Sequence, residues 1–398
     1  MRDCILKRVL LKMYYMGLDA KKKASDIYTE LYIKYCPVNS RKIVFSNFFG
    51  RSFGENPKYI AEEILRQNLK LDLVWLVNEE GIEVPIGIRK VPYWTNAGKR
   101  ELATAKVRVT NIRNDRFLPK RRGQVYLQTW HGGLDLKRHE REAEESLHRD
   151  YVTAARRDGA MCDAIISSCR LQSEDYRKNF WLSKDTEILE VGQPRCDTLF
   201  IKNKDIIIEN VYRTLKLDLD TRLILYAPTF RDDGSFDAYA LAYEKILDAF
   251  ERYFNQECVL LVRLHPNASK LCNHIVYNDR IINASHYPDV HELYIASSVL
   301  ITDYSNTAFD FALLGKPVFL CALDFEKYEK MRGFSIHYYN SPFIKSYSSA
   351  ELIECINEFS LDEYSRKLEQ YKNDVWKPFD DGHAAYRTVE WIKKRISQ

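Results

Sequence analysis

The stretch RLILYAP at residues 222–228 decides the fold class of this 398-residue chain. Its apolar residues run without polar interruption, as they do in strands that are covered on both faces. A second stretch, CVLLVRLHP at residues 258–266, begins with a similar apolar run, residues 259–262, and also ends in a proline. Continuous apolar strands that end in polar loops indicate parallel sheets with helices on both faces, which is the doubly wound α/β architecture.

Strand-like and helix-like segments alternate along the chain in two similar blocks. The predicted strands are residues 42–46, 72–77, 107–110, 124–129, 164–167, 187–191, 222–228, 258–264, 299–303 and 317–321. Helical patterns include residues 57–67, 136–149, 239–253, 290–296, 308–314, 350–359 and 384–397. We therefore predict two Rossmann-type domains, at residues 38–200 and 201–398, that face an interdomain cleft. The last helix is a candidate for crossing back onto the first domain.

Composition excludes several classes of protein. Hydrophobic residues make up 45% and charged residues 29% of the chain, so it is neither disordered nor collagen-like. No stretch approaches the roughly 18 uncharged apolar residues of a membrane span, and the first residues lack the pattern of a secretory signal. The nine cysteines include no CxxC pair, which favours free thiols in a reducing cytoplasm. No basic, aromatic-interleaved stripe indicates a nucleic-acid partner.

Residues 1–37 are predicted to form a basic, amphipathic, membrane-associating segment. Apolar residues recur at helical spacing from Ile5 to Met16. Residues 1–23 hold seven lysines and arginines against two aspartates, so the excess charge of the chain, +4 overall, lies at this end. Such a helix can lie on an anionic membrane surface. The alternative is that it packs against the body of the protein with its lysines solvated.

Five short motifs place polar residues where predicted strands end. They are QTWHGG at residues 128–133, GQPRCD at 192–197, YAPTFR at 226–231, VRLHP at 262–266 and TDYSNTAFD at 302–310. His131 precedes a diglycine that lets backbone approach a ligand closely, and imidazole suits proton transfer. Arg263 and His265 alternate on one face of an extended segment and suit phosphate recognition. Arg195 lies between the two blocks, where its guanidinium could reach across the cleft.

Each motif also has a purely structural interpretation. His131 could be a capping or core histidine, Pro228 a strand terminator, and Ser305 or Asn306 a helix N-cap. The last motif would equally offer free N–H groups and a helix dipole to an anion. The acidic pairs at residues 218–220 and 232–233 are interpreted as solvated loops. Together, two histidines, two arginines and a helix N-terminus predict a site for a diphosphate that is held without a dedicated metal cage.

As a set, these motifs resemble the CDP-glycerol glycerophosphotransferase family, whose members build wall teichoic acids and some capsules. The resemblance covers about residues 120–385 and includes GKP at 315–317, RGF at 332–334 and DDGHA at 380–384. The chain departs from the family pattern at residues 133–134, where Thr-Pro is frequent, and at residues 305–306, where Ser-Ser is frequent. These departures bear on which polyol and which acceptor are used.

The resemblance implies a GT-B-like fold, peripheral association with the cytoplasmic face of the membrane, and transfer of polyol phosphate from a CDP-polyol such as CDP-glycerol. The acceptor would be lipid-linked, of the undecaprenyl type, and CMP would be released. By the same resemblance, the donor would contact Trp130, Gly132, Gly133, Leu134, Arg195, Pro228, Thr229, Arg263, Leu264, Ser305, Asn306 and Asp310. His131 is the expected general base, and His265 is the reserve candidate for that role.

Several alternatives stay open at this point. The transferred group could be ribitol phosphate from CDP-ribitol, the enzyme could be a GT-B glycosyltransferase that uses a nucleotide sugar, or the protein could be an inactive scaffold. The presence of His131, Arg263 and His265 argues against the scaffold. A Mg²⁺ ion that accompanies the diphosphate would leave no protein motif, so a metal requirement is open. The sequence also does not separate a primase from a polymerase.

Overall fold

The computed structural model describes residues 23–113, 118–231 and 235–397. Residues 1–22, which carry most of the predicted basic helix, and the acidic pair 232–233 lie outside the described residues. Residues 23–35 form a helix, α1. Within the described ranges we find no helix with the length and apolar character that a membrane span requires.

Seven parallel strands form the first sheet. They are β1 (Asn39–Ser46), β2 (Asp72–Val77), β3 (Ile88–Pro92), β4 (Ala105–Thr110), β5 (Val125–Gln128), β6 (Ala164–Ser167) and β7 (Glu187–Glu190). Their order is β3-β2-β1-β4-β5-β6-β7, so the chain starts at the centre and winds outward in both directions. The winding direction reverses between β1 and β4, which is where ligands of such sheets bind.

Six parallel strands form the second sheet. They are β8 (Arg222–Tyr226), β9 (Cys258–Val262), β10 (Ile281–Asn283), β11 (Val299–Thr302), β12 (Val318–Cys321) and β13 (Ile344–Ser346). Their order, β10-β9-β8-β11-β12-β13, repeats the winding of the first six strands of the first sheet. The reversal of winding here lies between β8 and β11, so the loops after these two strands border the expected ligand crevice.

Helices cover both faces of the sheets. They are α2 (Glu55–Arg66), α3 (Asn96–Thr104), α4 (Arg149–Met161), α5 (Arg170–Asn179), α6 (Asp205–Leu215), α7 (Tyr243–Phe254), α8 (Val290–Ala296), α9 (Thr307–Ala312), α10 (Phe325–Met331), α11 (Ile336–Asn340), α12 (Ser349–Asn357), α13 (Leu361–Tyr371) and α14 (Ala384–Ile396). Short 3-10 helices lie at Phe48–Gly50, Glu140–Ser146, Pro194–Phe200, Asp237–Tyr239 and Pro266–His274, and a π-helical turn lies at Lys372–Trp376.

The apolar stretch at residues 222–228 is explained by the two cores of the second sheet. Leu223 and Leu225 of β8 belong to the buried cluster on one face, and Ile224 and Tyr226 belong to the cluster on the other. Because successive residues of a strand point to opposite faces, a strand covered on both sides must be apolar at every position. The burial of all four residues therefore follows from the sequence pattern.

The last helix, α14, lies against the first sheet although it follows the second in sequence. Val389 and Ile392 share a buried cluster with Ile43 of β1. Asp197 accepts hydrogen bonds from the first backbone N–H groups of α14, those of Ala384 (2.9 Å) and Ala385 (2.8 Å). The chain therefore returns to the first sheet at its end, which ties the two halves together a second time.

Three strands that the sequence analysis did not predict, β3, β10 and β13, all lie at the edges of a sheet. Each has five residues or fewer, and each contains polar residues, as in IRKVP of β3. An edge strand has one neighbour and one open side, so it needs no continuous apolar run and carries a weak sequence signal.

The predicted helix at residues 136–149 is wrong as a continuous helix: residues 136–138 are extended, and only Glu140–Ser146 form a helical segment, of the 3-10 type. Leu136 O accepts a hydrogen bond from Ser335 N (3.1 Å), and Arg138 N donates one to Gly333 O (3.1 Å), so residues 136–138 run beside a loop of the second half. Helix α4 begins only at Arg149. Leu136 is fully buried in the core of the second sheet, and this long-range contact outweighs the local helical pattern.

Candidate active site

The carboxyl ends of the two sheets face each other, and the loops that follow the strands touch across the gap. A Cβ added to Gly132, after β5, would collide with Nδ2 of Asn306, after β11. Lys58 of α2 lies 2.9 Å from the carboxylate of Asp289, which caps α8. With the pairing of residues 136–138 and 333–335, these contacts define one interdomain groove, bordered by the loops that carry the motifs.

His131 opens onto this groove from the loop after β5. Its side chain is solvent-accessible although it lies deep between the two sheets, and burial lowers its pKa to about 4. Nδ1 lies 2.9 Å from the backbone carbonyl oxygen of Asn111. Because a carbonyl oxygen only accepts hydrogen bonds, Nδ1 carries the proton of the neutral ring. The lone pair of Nε2 is then available to accept a proton.

Trp130, the residue before His131, has a strained backbone and packs its ring against the imidazole. Its backbone adopts a left-handed conformation (φ +53°), which costs a non-glycine residue about 1–3 kcal/mol and is typical of functional sites. The Trp130 ring is buried, and its centroid lies 4.3 Å from that of the imidazole. Trp130 N donates to Oε1 of Gln128 at 2.9 Å, and Asn56 Nδ2 donates to Trp130 O at 3.3 Å. These bonds hold the strained residue in place.

Gly132, Gly133 and Leu134 carry the chain from His131 to the second sheet. Gln172 Nε2 donates to the carbonyl oxygens of Gly132 (3.0 Å) and Gly133. A Cβ on Gly133 would lie 3.4 Å from Oδ1 of Asp310. Leu134 is buried in the core of the second sheet. The two glycines therefore border the interdomain contact through their backbone, whereas the Leu134 side chain is part of a hydrophobic core.

Arg195 and Asp310 are brought together in the groove. Arg195 donates from Nε to Oδ2 of Asp310 at 3.0 Å and from Nη2 to Oδ1 at 3.3 Å. Burial favours neutral Asp310, but the charge of Arg195 outweighs it and lowers the Asp310 pKa to about 2. The guanidinium does reach across the cleft, and its charge is matched by a carboxylate of the protein.

Pro228 and Thr229 follow β8 at the reversal point of the second sheet. Pro228 is buried, and Thr229 N donates to Oδ1 of Asp303 at 2.8 Å. The Thr229 hydroxyl is buried and has no hydrogen-bond partner within the described part of the chain. Asp303 also accepts from Nη2 of Arg231 (2.8 Å), whose Nε donates to Asp324 (2.7 Å). Sequence reasoning gave Arg231 no role, yet it ties together the loops after β8, β11 and β12.

Arg263, Leu264 and His265 follow β9. Leu264 is buried, while Arg263 is half-buried and donates from Nη1 to the carbonyl oxygens of Ala284 (3.1 Å) and Tyr287 (2.6 Å). His265 is solvent-accessible, and its pKa is lowered by burial and then by the positive charge of Lys137. Arg263 and His265 thus flank a buried leucine, as the alternation of their sequence predicts.

Ser305 and Asn306 lie between β11 and α9, which has only six residues. Asn306 occupies the N-cap position, but its side chain accepts no hydrogen bond from the first turn. Its amide instead lies against Gly132. Ser305 Oγ is 3.4 Å from Thr307 N, a long contact for a cap. The side chain of Asn306 is therefore directed across the groove and does not terminate its own helix.

Lys137 is a residue of the groove that sequence reasoning missed. Its backbone forms a β-bridge with Phe334, and its charge acts on both His131 and His265. Burial, and then the like charge of Arg332, lower the Lys137 pKa. Lys137 lies six residues after His131 in the sequence, but the sequence analysis assigned residues 136–149 to a helix and gave Lys137 no role.

One set of side chains in the described ranges has the spacing of a metal site. Ligand atoms of Cys196, His291 and Asp310 lie within 4.8 Å of one another, and all three residues are buried. Mg²⁺ prefers oxygen ligands and avoids thiols, and Asp310 already pairs with Arg195. These residues therefore do not fit a magnesium ion. Asp218 and Asp220 are exposed and precede β8, so they lie at the amino ends of the strands, away from the groove.

Comparison with known proteins agrees with this architecture. The chain is 30% identical to a teichoic acid poly(glycerol phosphate) polymerase of Staphylococcus epidermidis over 98% of its own length and 56% of the polymerase. It is 29% identical to a teichoic acid glycerol-phosphate transferase of Staphylococcus aureus, covering 93% of this chain and 97% of that one. It thus spans little more than half of the first relative and nearly all of the second.

The solved structure of the wall teichoic acid polymerase TagF superposes with a TM-score of 0.83 at 28% identity, covering 96% of each chain. With two Rossmann-type sheets whose carboxyl ends face each other, this match confirms the predicted GT-B-like fold. The profile of the family described as CDP-glycerol:poly(glycerophosphate) glycerophosphotransferase matches residues 29–394. The resemblance drawn from the motifs is therefore confirmed, and the chain belongs to this family of glycerophosphotransferases.

Proposed function

We propose that this protein transfers glycerol phosphate from CDP-glycerol to a hydroxyl of a lipid-linked acceptor and releases CMP. Family membership supports the reaction class. The observation that carries the proposal is the hydrogen bond of His131 Nδ1 to the carbonyl oxygen of Asn111. It leaves Nε2 as a proton acceptor in the groove, opposite Arg263 and His265 on the other sheet.

In this reaction the acceptor oxygen attacks the phosphorus that carries glycerol, and the bond from that phosphorus to the bridging oxygen breaks. The electron pair of the broken bond stays with CMP, and the hydroxyl proton passes to Nε2 of His131. General base catalysis of this kind contributes roughly 10²–10⁴-fold to the rate. The lowered pKa of His131 keeps its ring unprotonated at neutral pH.

The wall formed by the second sheet suits the leaving group. Negative charge gathers on CMP as the bond breaks, and preorganised cations and N–H groups stabilise such charge best. Arg263 is held by two backbone carbonyls, so its position costs no reorganisation during the reaction. The buried, unpaired hydroxyl of Thr229 is a donor that a phosphate oxygen would satisfy. A Mg²⁺ ion would enter with the diphosphate.

We place the protein at the cytoplasmic face of the membrane, as a peripheral protein, because a lipid-linked acceptor is anchored there. The basic residues of the first 23 positions would contact anionic lipid headgroups. The neighbouring helix α1 supports this arrangement, since its described part exposes Ile27, Tyr28, Leu31 and Tyr35. Amphipathic aromatic rings and aliphatic side chains beside lysines are typical of interfacial helices.

The experiment that tests the proposal is a donor panel with the full-length protein and a synthetic lipid-linked acceptor. CDP-glycerol, CDP-ribitol and a UDP-sugar are supplied separately, with and without Mg²⁺, and nucleotide release and product mass are followed. Release of CMP with addition of glycerol phosphate supports the proposal. CMP release only from CDP-ribitol would identify a ribitol-phosphate transferase, UDP release a glycosyltransferase, and no release with any donor an inactive scaffold.

A further inference from the structure

Lys137 is held in the groove by the contact between the two halves of the molecule. It lies between Leu136, which is buried in the core of the second sheet, and Arg138, which is exposed and hydrogen-bonded to Gly333. The bridge to Phe334 fixes its backbone. Because both neighbours are anchored, the Lys137 side chain has little freedom to leave the groove.

No carboxylate of the described residues forms an ion pair with Lys137, although the charges of Asp135 and Asp303 act on it from a longer distance. Its ammonium forms no hydrogen bond or ion pair with any described residue, although its side chain is half-buried. Both of these carboxylates have other partners: Asp135 lies 3.0 Å from Nδ1 of His139, and Asp303 accepts a hydrogen bond from Arg231 at 2.8 Å. Partial burial lowers the pKa of Lys137, so its charged form loses part of its hydration here, and an anion that binds beside the ammonium would offset that loss.

A second cation approaches the same place. Arg332 is close enough for its like charge to act on Lys137, and its Nε donates to the backbone oxygen of Arg138 at 3.3 Å. No carboxylate within the described ranges pairs with Arg332. Two like charges held close together without a carboxylate between them repel each other, and an anion of the substrate would relieve that repulsion.

We propose that Lys137 binds the phosphoryl group that is transferred, and that it does so from the wall that also carries His131. The proposal rests on the proposed function. Lys137 lies within electrostatic range of both histidines, which stand on opposite walls, so its ammonium is near the point where donor and acceptor meet. Arg263 and His265 would hold the CMP phosphate, and Lys137 would neutralise the oxygens of the phosphorus under attack.

The assignment of the two phosphates to different residues can be tested with the variants Lys137→Met and Lys137→Arg and the control Lys120→Met. Lys120 forms an ion pair with Asp163. The two residues precede β5 and β6, so they lie at the amino ends of these strands, on the side of the sheet away from the groove. Lys137→Met should lower kcat with CDP-glycerol by roughly 10²–10³-fold, the loss seen when one preorganised donor to a developing anion is removed. Lys137→Arg, which keeps the charge, should recover most of that loss, and Lys120→Met should match wild type.

Binding separates this role from a structural one. By calorimetry, Lys137→Met should bind CDP-glycerol more weakly than wild type but bind CMP with unchanged affinity, because CMP lacks the transferred phosphoryl group. Equal losses for both ligands, or unchanged kcat in an active enzyme, would overturn the assignment of Lys137 and leave the proposed function intact. Absence of CMP release by the wild-type protein from CDP-glycerol would overturn the proposed function itself, and this assignment with it.

Discussion

Arg195 and Asp310 form a bidentate ion pair that joins the loop after β7 to helix α9 across the groove, with N–O distances of 3.0 and 3.3 Å. The resemblance implied that both residues contact the donor, and the structure has each satisfying the charge of the other. Both side chains are almost fully buried, at 3% and 9% exposure. A pair of this kind sets the relative position of the two halves on which the active site depends.

We expect Asp310→Asn to lower the free energy of unfolding by about 3–5 kcal/mol, because the buried guanidinium of Arg195 loses its bidentate carboxylate partner and keeps only Glu55, 3.5 Å from Nη1. Urea denaturation measures the effect, with Asp185→Asn at an exposed site as the control. The double variant Arg195→Met/Asp310→Leu removes both charges and should be more stable than the sum of the single changes predicts. Additive effects in this double-mutant cycle would show that the pair does not couple the two halves.

His131→Ala should abolish transfer, while binding of CDP-glycerol largely survives, because the Nε2 lone pair acts on the acceptor proton and does not hold the donor. Steady-state CMP release and calorimetric binding measure the two properties. His265→Ala is the matched comparison. Because His265 lies on the second-sheet side of the groove, where the CMP leaving group is proposed to bind, this variant should weaken donor binding as well as turnover. If His265→Ala is inactive with full donor affinity and His131→Ala stays active, the two roles are reversed.

The loss of activity on the acid side of the pH profile should occur at an unusually low pH. A base must be unprotonated, so kcat/KM falls as the pH drops through the pKa of His131 in the free enzyme. Burial lowers that pKa to about 4, and activity should therefore be nearly constant from pH 8 down to about pH 5. An ordinary histidine would already lose half of its activity near pH 6.5. An acid limb near that value would contradict the proposed environment of His131.

Gly132→Ala should impair the enzyme because the new methyl group meets the side-chain amide of Asn306. Shortening the opposing side chain in Gly132→Ala/Asn306→Ser should restore much of the activity and of the thermal stability. Asn306→Ser alone is the control, and it should have a small effect on stability because the Asn306 side chain caps no helix. A double variant no better than Gly132→Ala would mean that the glycine is needed for backbone freedom and not for space.

The sequence predicted the central strands almost to the residue, because strands buried on both faces must be apolar throughout. It also predicted which loops would meet, since the carboxyl ends of parallel strands share one edge of a sheet. It missed β3, β10 and β13 because each is an edge strand with one open side, and such strands lack the continuous apolar run that marks a central strand. Residues 136–138 were misassigned for the opposite reason: their conformation is set by Phe334 and its neighbours, far away in the chain.

Partners of charged side chains were the least predictable part of the site. The sequence shows that Arg195 and Asp310 are present, but only the folded chain shows that they neutralise each other. The sequence also gave no reason to separate Arg231, which forms ion pairs with Asp303 and Asp324, from Lys137, which forms no ion pair with any residue that the structure describes. Which cations stay available to a ligand depends on distances across the two halves, and no local pattern encodes those distances.

The basic N-terminal segment should govern attachment to anionic membranes. Each lysine near an anionic surface contributes about 1 kcal/mol to binding, so replacing Lys21, Lys22 and Lys23 with glutamine should weaken partitioning roughly 100-fold. Flotation with vesicles that contain phosphatidylglycerol measures this, and neutral vesicles should show little binding by either protein. A variant with glutamine at the exposed Lys184, Lys245 and Lys330 loses the same charge elsewhere and should bind like wild type. If both triple variants lose equal affinity, attraction is a property of overall charge, and the segment does not act as the membrane anchor.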